Sequence, residues 1–219
     1  MFQQLKNVLY QRFPAISSKY HAHRRLISNN NSYLHQTGWI QNILKDGPTI
    51  PINEAIPWMN YSFLAFIEER LNDQMKMFEF GSGQSTFYFS QRVHQIVSVE
   101  YNQSWFDFVK RNAADNIQLI YREQDIDGEY CRTINGTPNY DIVVVDGRDR
   151  VNCCTHAEQN LSDSGVIILD DSQRDRYKPA FTYLRSLGFK YITITGLKPS
   201  GTAIDATTIF YRSDNCLGI

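Results

Sequence analysis

Residues 75–211 alternate short apolar strands with helical stretches, and this order predicts an α/β protein built on a doubly wound, mostly parallel sheet. Two further observations support that fold class. Residues 140–145 (YDIVVV) and 165–169 (GVIIL) are continuous apolar runs, as expected of strands buried on both faces. The last two strands are joined by a polar loop, residues 196–206, that has no room for a crossover helix, so they are expected to run antiparallel.

Taken in order, residues 1–28 and 32–45 read as short helices, with Pro14 interrupting the first and Asn29-Asn30-Asn31-Ser32 breaking the chain between them. Gly47-Pro48 and Pro51 mark a connector. Ile56-Pro57-Trp58-Met59 leads into a helix over 59–71, with Phe63, Leu64, Phe66, Ile67 and Leu71 on its apolar side. Residues 75–80 form a strand that ends in glycines. Helix 84–92, strand 95–100, helix 104–114 and strand 117–121 follow. Strands 140–145 and 165–169 flank a helix over 151–161; helix 176–187 and strands 191–195 and 207–211 complete the chain. The expected organisation is a helical extension over 1–58 and an α/β domain over 59–219.

The 219 residues carry 22 Lys+Arg and 23 Asp+Glu, a net charge of −1. Residues 1–45 hold Lys6, Arg12, Lys19, Arg24, Arg25 and Lys45 and no acid, which leaves 16 basic against all 23 acidic residues in the remainder, so the two parts stand at +6 and −7. That split disfavours a uniformly basic nucleic-acid binder. No apolar run approaches the length of a membrane span. The start shares an acid-free, Arg-containing character with mitochondrial transit peptides, but it is rich in aromatics and runs on without a break, and a cytoplasmic location is expected. Cys131, Cys153, Cys154 and Cys216 form no CxxC pair, so neither a zinc module nor a disulfide framework is indicated; buried, reduced thiols are expected. Asn135-Gly136-Thr137 reads as a chance match to a glycosylation acceptor.

Phe78-Glu79-Phe80-Gly81-Ser82-Gly83-Gln84-Ser85-Thr86 joins the first strand of the sheet to its helix. Glycine there allows a tight turn and close approach of a ligand, and a helix start offers unpaired N–H groups. Glu100 closes the next strand, nineteen residues past Gly81, near the spacing of an acid that holds ribose hydroxyls. A dinucleotide fingerprint wants glycine where Thr86 stands and has no use for Glu79. A ligand with an ammonium group does use an acid there.

On residues 79–85 the chain resembles the class I S-adenosylmethionine-dependent methyltransferases, which typically show acid-x-Gly-x-Gly-x-Gly; Ser85 replaces the last glycine. The resemblance spans about residues 59–212 and implies a Rossmann-like sheet of seven strands with the last antiparallel. It implies S-adenosylmethionine as cofactor. Glu79 and the backbone of Gly81, Ser82 and Gly83 would hold its methionine part, beside Ser85 and Thr86. Glu100 would take the ribose, and Tyr101 would lie beside the adenine. Asp125 would meet the adenine edge, with Glu123 and Asp127 as competitors for that role, and Asp146 would close the cofactor set.

Asp146 ends the fourth strand and Asp170-Asp171 the fifth, so the three carboxylates should share one crevice. Their repulsion demands either a divalent cation, with Mg²⁺, Ca²⁺ or Mn²⁺ suiting oxygen ligands, or basic partners such as Arg148, Arg150, Arg174 and Arg176. The trio is similar to the metal site of the metal-dependent O-methyltransferases of the catechol and antibiotic-sugar types, which implies Asp146, Asp170 and Asp171 as metal ligands. The chain departs from both types nearby, with Asp149 where the catechol enzymes place a lysine and Arg148 where the sugar enzymes place an acid. Asp146, Asp149 and His156 are the candidates for proton transfer.

The function expected is methyl transfer to a hydroxyl of a small molecule or sugar, by in-line displacement, with or without a metal. A nicotinamide-dependent oxidoreductase is one alternative, opposed by Glu79, Thr86 and the absence of a Tyr-x-x-x-Lys pair. A non-catalytic Rossmann-like module that binds a nucleoside is another, opposed by Glu79, Glu100 and Asp146. The loop 198–205 is expected to form a substrate rim, and the basic extension a lid or homo-oligomer contact that favours an anionic acceptor.

Overall fold

The computed structural model describes residues 12–43, 55–137, 139–199 and 201–219. The chain divides into two compact units, Met1–Thr49 and Ile50–Ile219. Lys6, Lys45, Gly47-Pro48 and Pro51 lie outside the described residues. The smaller unit contains helices α1 (Pro14–Leu26), α2 (Tyr33–Gln36) and α3 (Trp39–Ile43). Pro14 opens α1, where proline's missing N–H costs nothing in a first turn. The break at residues 29–32 ends with Ser32, whose hydroxyl caps α2 by accepting from His35 N.

The larger unit follows the alternation read from the sequence. Its elements are α4 (Tyr61–Glu68), β1 (Lys76–Phe80), α5 (Gln84–Ser90), β2 (Gln95–Glu100), α6 (Gln103–Asn112), β3 (Ile117–Tyr121), α7 (Glu129–Arg132), β4 (Tyr140–Val145), α8 (Arg150–Glu158), β5 (Leu161–Leu169), α9 (Lys178–Ser186), β6 (Lys190–Gly196) and β7 (Asp205–Tyr211). The strands form one seven-stranded sheet in the order β3-β2-β1-β4-β5-β7-β6. β1 to β5 are parallel, and β7 inserts antiparallel to both β5 and β6. This is the Rossmann-like, mostly parallel sheet of seven strands expected from the sequence. Two details differ from the sequence reading. β5 starts at Leu161, because Leu161 pairs with Tyr140 ahead of an irregular register. The single-turn helix α7 was not anticipated; it is built on the carboxylate of Asp125, which accepts from Glu129 N at 2.6 Å and Tyr130 N at 3.2 Å.

Side chains alternate across the sheet and pack two cores. Phe78, Phe80, Val143, Val145, Ile167 and Leu169 face α7, α8 and α9, where Cys131, Cys153 and Cys154 are buried as free thiols. Met77, Ile96, Ile142, Val144 and Ile168 face α4 and α5. Buried Asn60 caps α4 by accepting from Phe63 N at 2.9 Å, and its amide donates to Ile194 O and Thr207 Oγ1. One side chain thereby fixes α4 to the antiparallel end of the sheet. No helix among the described residues is long and apolar enough to cross a membrane.

Candidate active site

The order in which strands are added reverses between β1 and β4, which are parallel neighbours in the sheet. Crevices form at the carboxy ends of strands at such a switch point. A cleft of about 660 Å³ lies there, within the range that holds a small ligand. Its walls include the glycine turn, Glu100, Tyr101, Trp105, Asp146, Asp170 and Asp171.

Gly81 turns away from β1 with φ +95°, and a Cβ there would stand 2.8 Å from Gly147 Cα. Glycine is therefore required where the β1 and β4 turns touch. A Cβ at Gly83 meets nothing within 4 Å, so this stretch of backbone is open on the cleft side.

Glu79 is fully buried, and the β1–β2 register sets it beside Ser98. Its Oε2 accepts from Thr86 Oγ1 at 2.6 Å and Ser98 Oγ at 2.8 Å. Thr86 Oγ1 in turn accepts from Gly83 N at 3.0 Å, so the hydroxyl that departs from the dinucleotide fingerprint links Glu79 to the glycine turn. Glu79 Oε1 is buried and accepts no hydrogen bond. Burial pushes the Glu79 carboxyl up to about 7 against the pull of the Ser85, Thr86 and Ser98 hydroxyls.

Glu100, buried at the end of β2, accepts Ser82 N at 2.7 Å and Ser82 Oγ at 3.2 Å on one oxygen. The other oxygen accepts Tyr101 N at 3.0 Å and Asn102 N at 2.7 Å. Tyr101 lines the cleft with the Arg148 guanidinium 5.0 Å from its ring centre.

Asp146, Asp170 and Asp171 come together, each offering a carboxylate oxygen within 4.8 Å of the others. Asp146 is the most open, with 24% of its side chain exposed against 1% for Asp170 and 7% for Asp171. Asp171 sits at φ +53°, a left-handed conformation that aspartate tolerates better than most residues. The compensating charges are basic side chains. Arg150 Nη2 lies 2.9 Å from Asp146 Oδ1 and 3.4 Å from Asp171 Oδ2, and Arg174 Nη2 lies 2.7 Å from the latter oxygen. Lys198 Nζ lies 2.9 Å from Asp171 Oδ1, 3.1 Å from Asp205 Oδ1 and 3.9 Å from Asp170 Oδ2. Asp170 Oδ1 accepts from Thr207 Oγ1 at 2.6 Å. Apart from Asp146 Oδ2, the oxygens a divalent cation would use are therefore already met by an ammonium, two guanidinium groups and a hydroxyl. As arranged, these residues do not fit a divalent cation.

Burial raises the Asp146 carboxyl above its ordinary range even though Arg150 opposes the shift. Burial also raises Asp170, with Asp146 and Asp205 adding to the effect. Asp171 is enclosed, yet Lys198, Arg150 and Arg174 together hold it below the usual carboxylate range.

Not every candidate residue is placed to touch a ligand. Asp149 lines the cleft at φ +46°, but its carboxylate accepts Asp127 N at 2.8 Å and Asn152 Nδ2 at 3.0 Å, tying two loops together. Asp125 caps α7 and does not line the cleft. His156 also lies outside the cleft walls, 3.5 Å from Asp127 and 3.2 Å from Asn135. Three contributors escaped the sequence reading as individuals. Trp58 and Trp105 line the cleft, and Lys198 reaches three aspartates from its loop. Only the polar character of the 198–205 loop hinted at the last.

No protein-family model matches the chain, and no curated protein matches it in sequence. Solved structures do match. Precorrin-6y C5,15-methyltransferase from Geobacter metallireducens shares 18% identity at TM-score 0.52, over 69% of this chain and 87% of that one. Precorrin-8w decarboxylase from Methanobacterium thermoautotrophicum shares 19% at TM-score 0.53, over 78% and 97%. The O-methyltransferase TomG from Streptomyces achromogenes, solved with S-adenosylmethionine, shares 15% at TM-score 0.50, over 68% and 76%. At these identities the likeness shows a shared fold.

Proposed function

We propose that this chain binds S-adenosylmethionine and methylates a hydroxyl of a small molecule or sugar. The observation that carries the reading is Glu79 Oε1, a buried carboxylate oxygen without a hydrogen-bond partner behind an open glycine turn. Burying such an atom is costly unless a ligand satisfies it, and an ammonium group does so while favouring the charged carboxylate. A pyrophosphate would instead meet an acid and be repelled.

When bound, S-adenosylmethionine supplies a methyl group made electrophilic by its sulfonium. Glu79 and Thr86 stand behind the cleft wall rather than on it, and Glu79 would hold the ammonium through the glycine turn, with Ser85 and the backbone of Gly81, Ser82 and Gly83 bordering the methionine part. Glu100 takes ribose hydroxyls, and Tyr101 and Trp105 offer aromatic faces to the adenine. Asp146, the most exposed of the three clustered aspartates and raised in affinity for protons, takes the proton of the acceptor hydroxyl as it attacks. Arg150 holds that carboxylate in place. Binding both reactants in the one cleft aligns them, and alignment is a large part of what a direct displacement needs.

Calorimetry with S-adenosylmethionine and with NAD tests the reading. Binding of the first alone, followed by transfer of labelled methyl to hydroxylated acceptors, is expected. Binding of NAD without S-adenosylmethionine would overturn it.

A further inference from the structure

We propose that Lys198 and Arg150 stand permanently in the place of a divalent cation at the ends of β4 and β5, so that Asp146, Asp170 and Asp171 work without metal and Lys198 is what keeps metal out. The inference builds on the proposed methyl transfer, but its geometry stands alone. Lys198 comes from the loop between β6 and β7, in the antiparallel part of the sheet, and reaches back over the ends of the parallel strands. Its Nζ meets Asp171 at 2.9 Å and Asp205 at 3.1 Å, with Asp170 at 3.9 Å. Three acids, two following β5 and one opening β7, thus converge on one ammonium, as they would on an ion. Arg150 fills the other side. Besides its two carboxylates, it donates to the carbonyl oxygens of Asp146 at 2.8 Å, Gly147 at 3.0 Å and Asp170 at 2.6 Å. That set of bonds locks the guanidinium, so it cannot swing aside for an ion. Lys198 lines the cleft and has no comparable lock on its stem, so it is the removable half of the arrangement.

A side-chain ammonium carries one charge where Mg²⁺ or Mn²⁺ carries two. It orients the aspartates but does not bind the acceptor oxygen with a metal's strength. Lys198 is therefore a positioning residue: it fixes Asp171 and Asp205 and leaves proton removal to Asp146.

Mn²⁺ binding to the full chain, read as loss of the free-ion electron paramagnetic resonance signal, tests this without any cofactor. The wild-type protein is expected to show no saturable binding. Lys198→Ala should gain a site at least about tenfold tighter, Lys198→Arg should not, and Lys198→Ala combined with Asp170→Asn should lose it again. Methyl transfer by the wild-type protein should survive chelation. Saturable Mn²⁺ binding by the wild-type protein overturns the proposal and needs no variant to fold. Failure of a folded Lys198→Ala protein to gain a site also overturns it. If S-adenosylmethionine does not bind at all, the functional reading fails while the Mn²⁺ result still decides this one.

Discussion

Ser82 donates twice to a single oxygen of Glu100, from its backbone N–H at 2.7 Å and from its hydroxyl at 3.2 Å. The second Glu100 oxygen is filled by the N–H groups of Tyr101 and Asn102. The acid proposed to take a ribose thus ties the glycine turn to the start of α6, and a carboxylate has only about four acceptor positions. On that proposal, ribose hydroxyls would have to displace the Ser82 hydroxyl.

Opposite effects are therefore expected from the two partners. Ser82→Ala removes the competing hydroxyl but keeps the backbone bond, and S-adenosylmethionine should bind as tightly as before or a few-fold tighter. Glu100→Ala loses charge-assisted bonds worth about 1.5–3 kcal/mol each, so affinity should fall by about tenfold or more. Calorimetric titration of both variants separates a ribose acceptor from an acid that serves only the turn.

Glu79 makes binding depend on pH. Its carboxyl, ordinarily near 4.5, titrates at about 7 because it is buried. An ammonium ligand favours the ionised form, so affinity should rise from pH 5.5 to about 7 and then level off, with proton release on binding. In the ligand-free protein the sign is reversed. The unfolded chain loses the proton from about 4.5 upward while the folded chain keeps it to about 7, so stability falls across that window and is flat above it. Glu79→Gln should weaken binding at pH 8, flatten the affinity profile, and raise the ligand-free stability at pH 8 by at most about 3 kcal/mol. Titrations in buffers of different ionisation enthalpy, with thermal melts at pH 5 and 8, check each part.

The sheet was legible because burial on two faces writes itself as continuous apolar runs. Residues 140–145 and 165–169 declared the two central strands, and the short 196–206 loop declared an antiparallel pair. The approach of Asp146 to Asp170 and Asp171 was legible too, since ends of neighbouring parallel strands share an edge. What compensates those acids was open between a metal and arginines. Arg150 and Arg174 were visible as neighbours in sequence, but Lys198 and Asp205 join only through the return of β6 and β7, a contact no local pattern records. Asp125 and Asp149 show the opposite limit. An acid at a strand end reads equally as a ligand holder or as a cap, and in both residues the carboxylate accepts loop and helix-start donors.

Arg150 should matter more for folding than its place beside the cleft suggests. It is buried, pairs with Asp146 and Asp171, and donates to three carbonyl oxygens. Arg150→Met keeps the stem but strands Asp146 and three carbonyl groups, while Asp171 keeps Arg174 and Lys198; removing one partner of a buried pair costs about 3–5 kcal/mol. Arg150→Lys keeps the charge and should recover only part, because an ammonium lacks the planar fork that reaches these oxygens at once. Urea denaturation at pH 7 of the three proteins measures the ordering.

Asp146 is the residue on which the proposed proton-transfer step rests, and its neighbours dictate how that step should respond to pH. A base works only when ionised, so the acid limb of the rate must follow its carboxyl. That carboxyl is raised by burial, with Asp171 and Asp205 adding repulsion and Arg150 and Lys198 opposing it. The rate should accordingly begin to climb above the ordinary range of an aspartate. Asp146→Asn keeps the shape of the side chain and its contact with Arg150 through the amide oxygen, but it can accept no proton. Its kcat should drop by about 10²–10⁴, the usual share of general-base catalysis, and the remaining rate should lose its acid limb. Lys198→Ala removes a charge that favours ionised Asp146, so it should shift the limb to higher pH without erasing it. Rate profiles from pH 5 to 9 for the three proteins distinguish a base from an acid that only orients Arg150, since the second role would lower the rate without moving or erasing the limb.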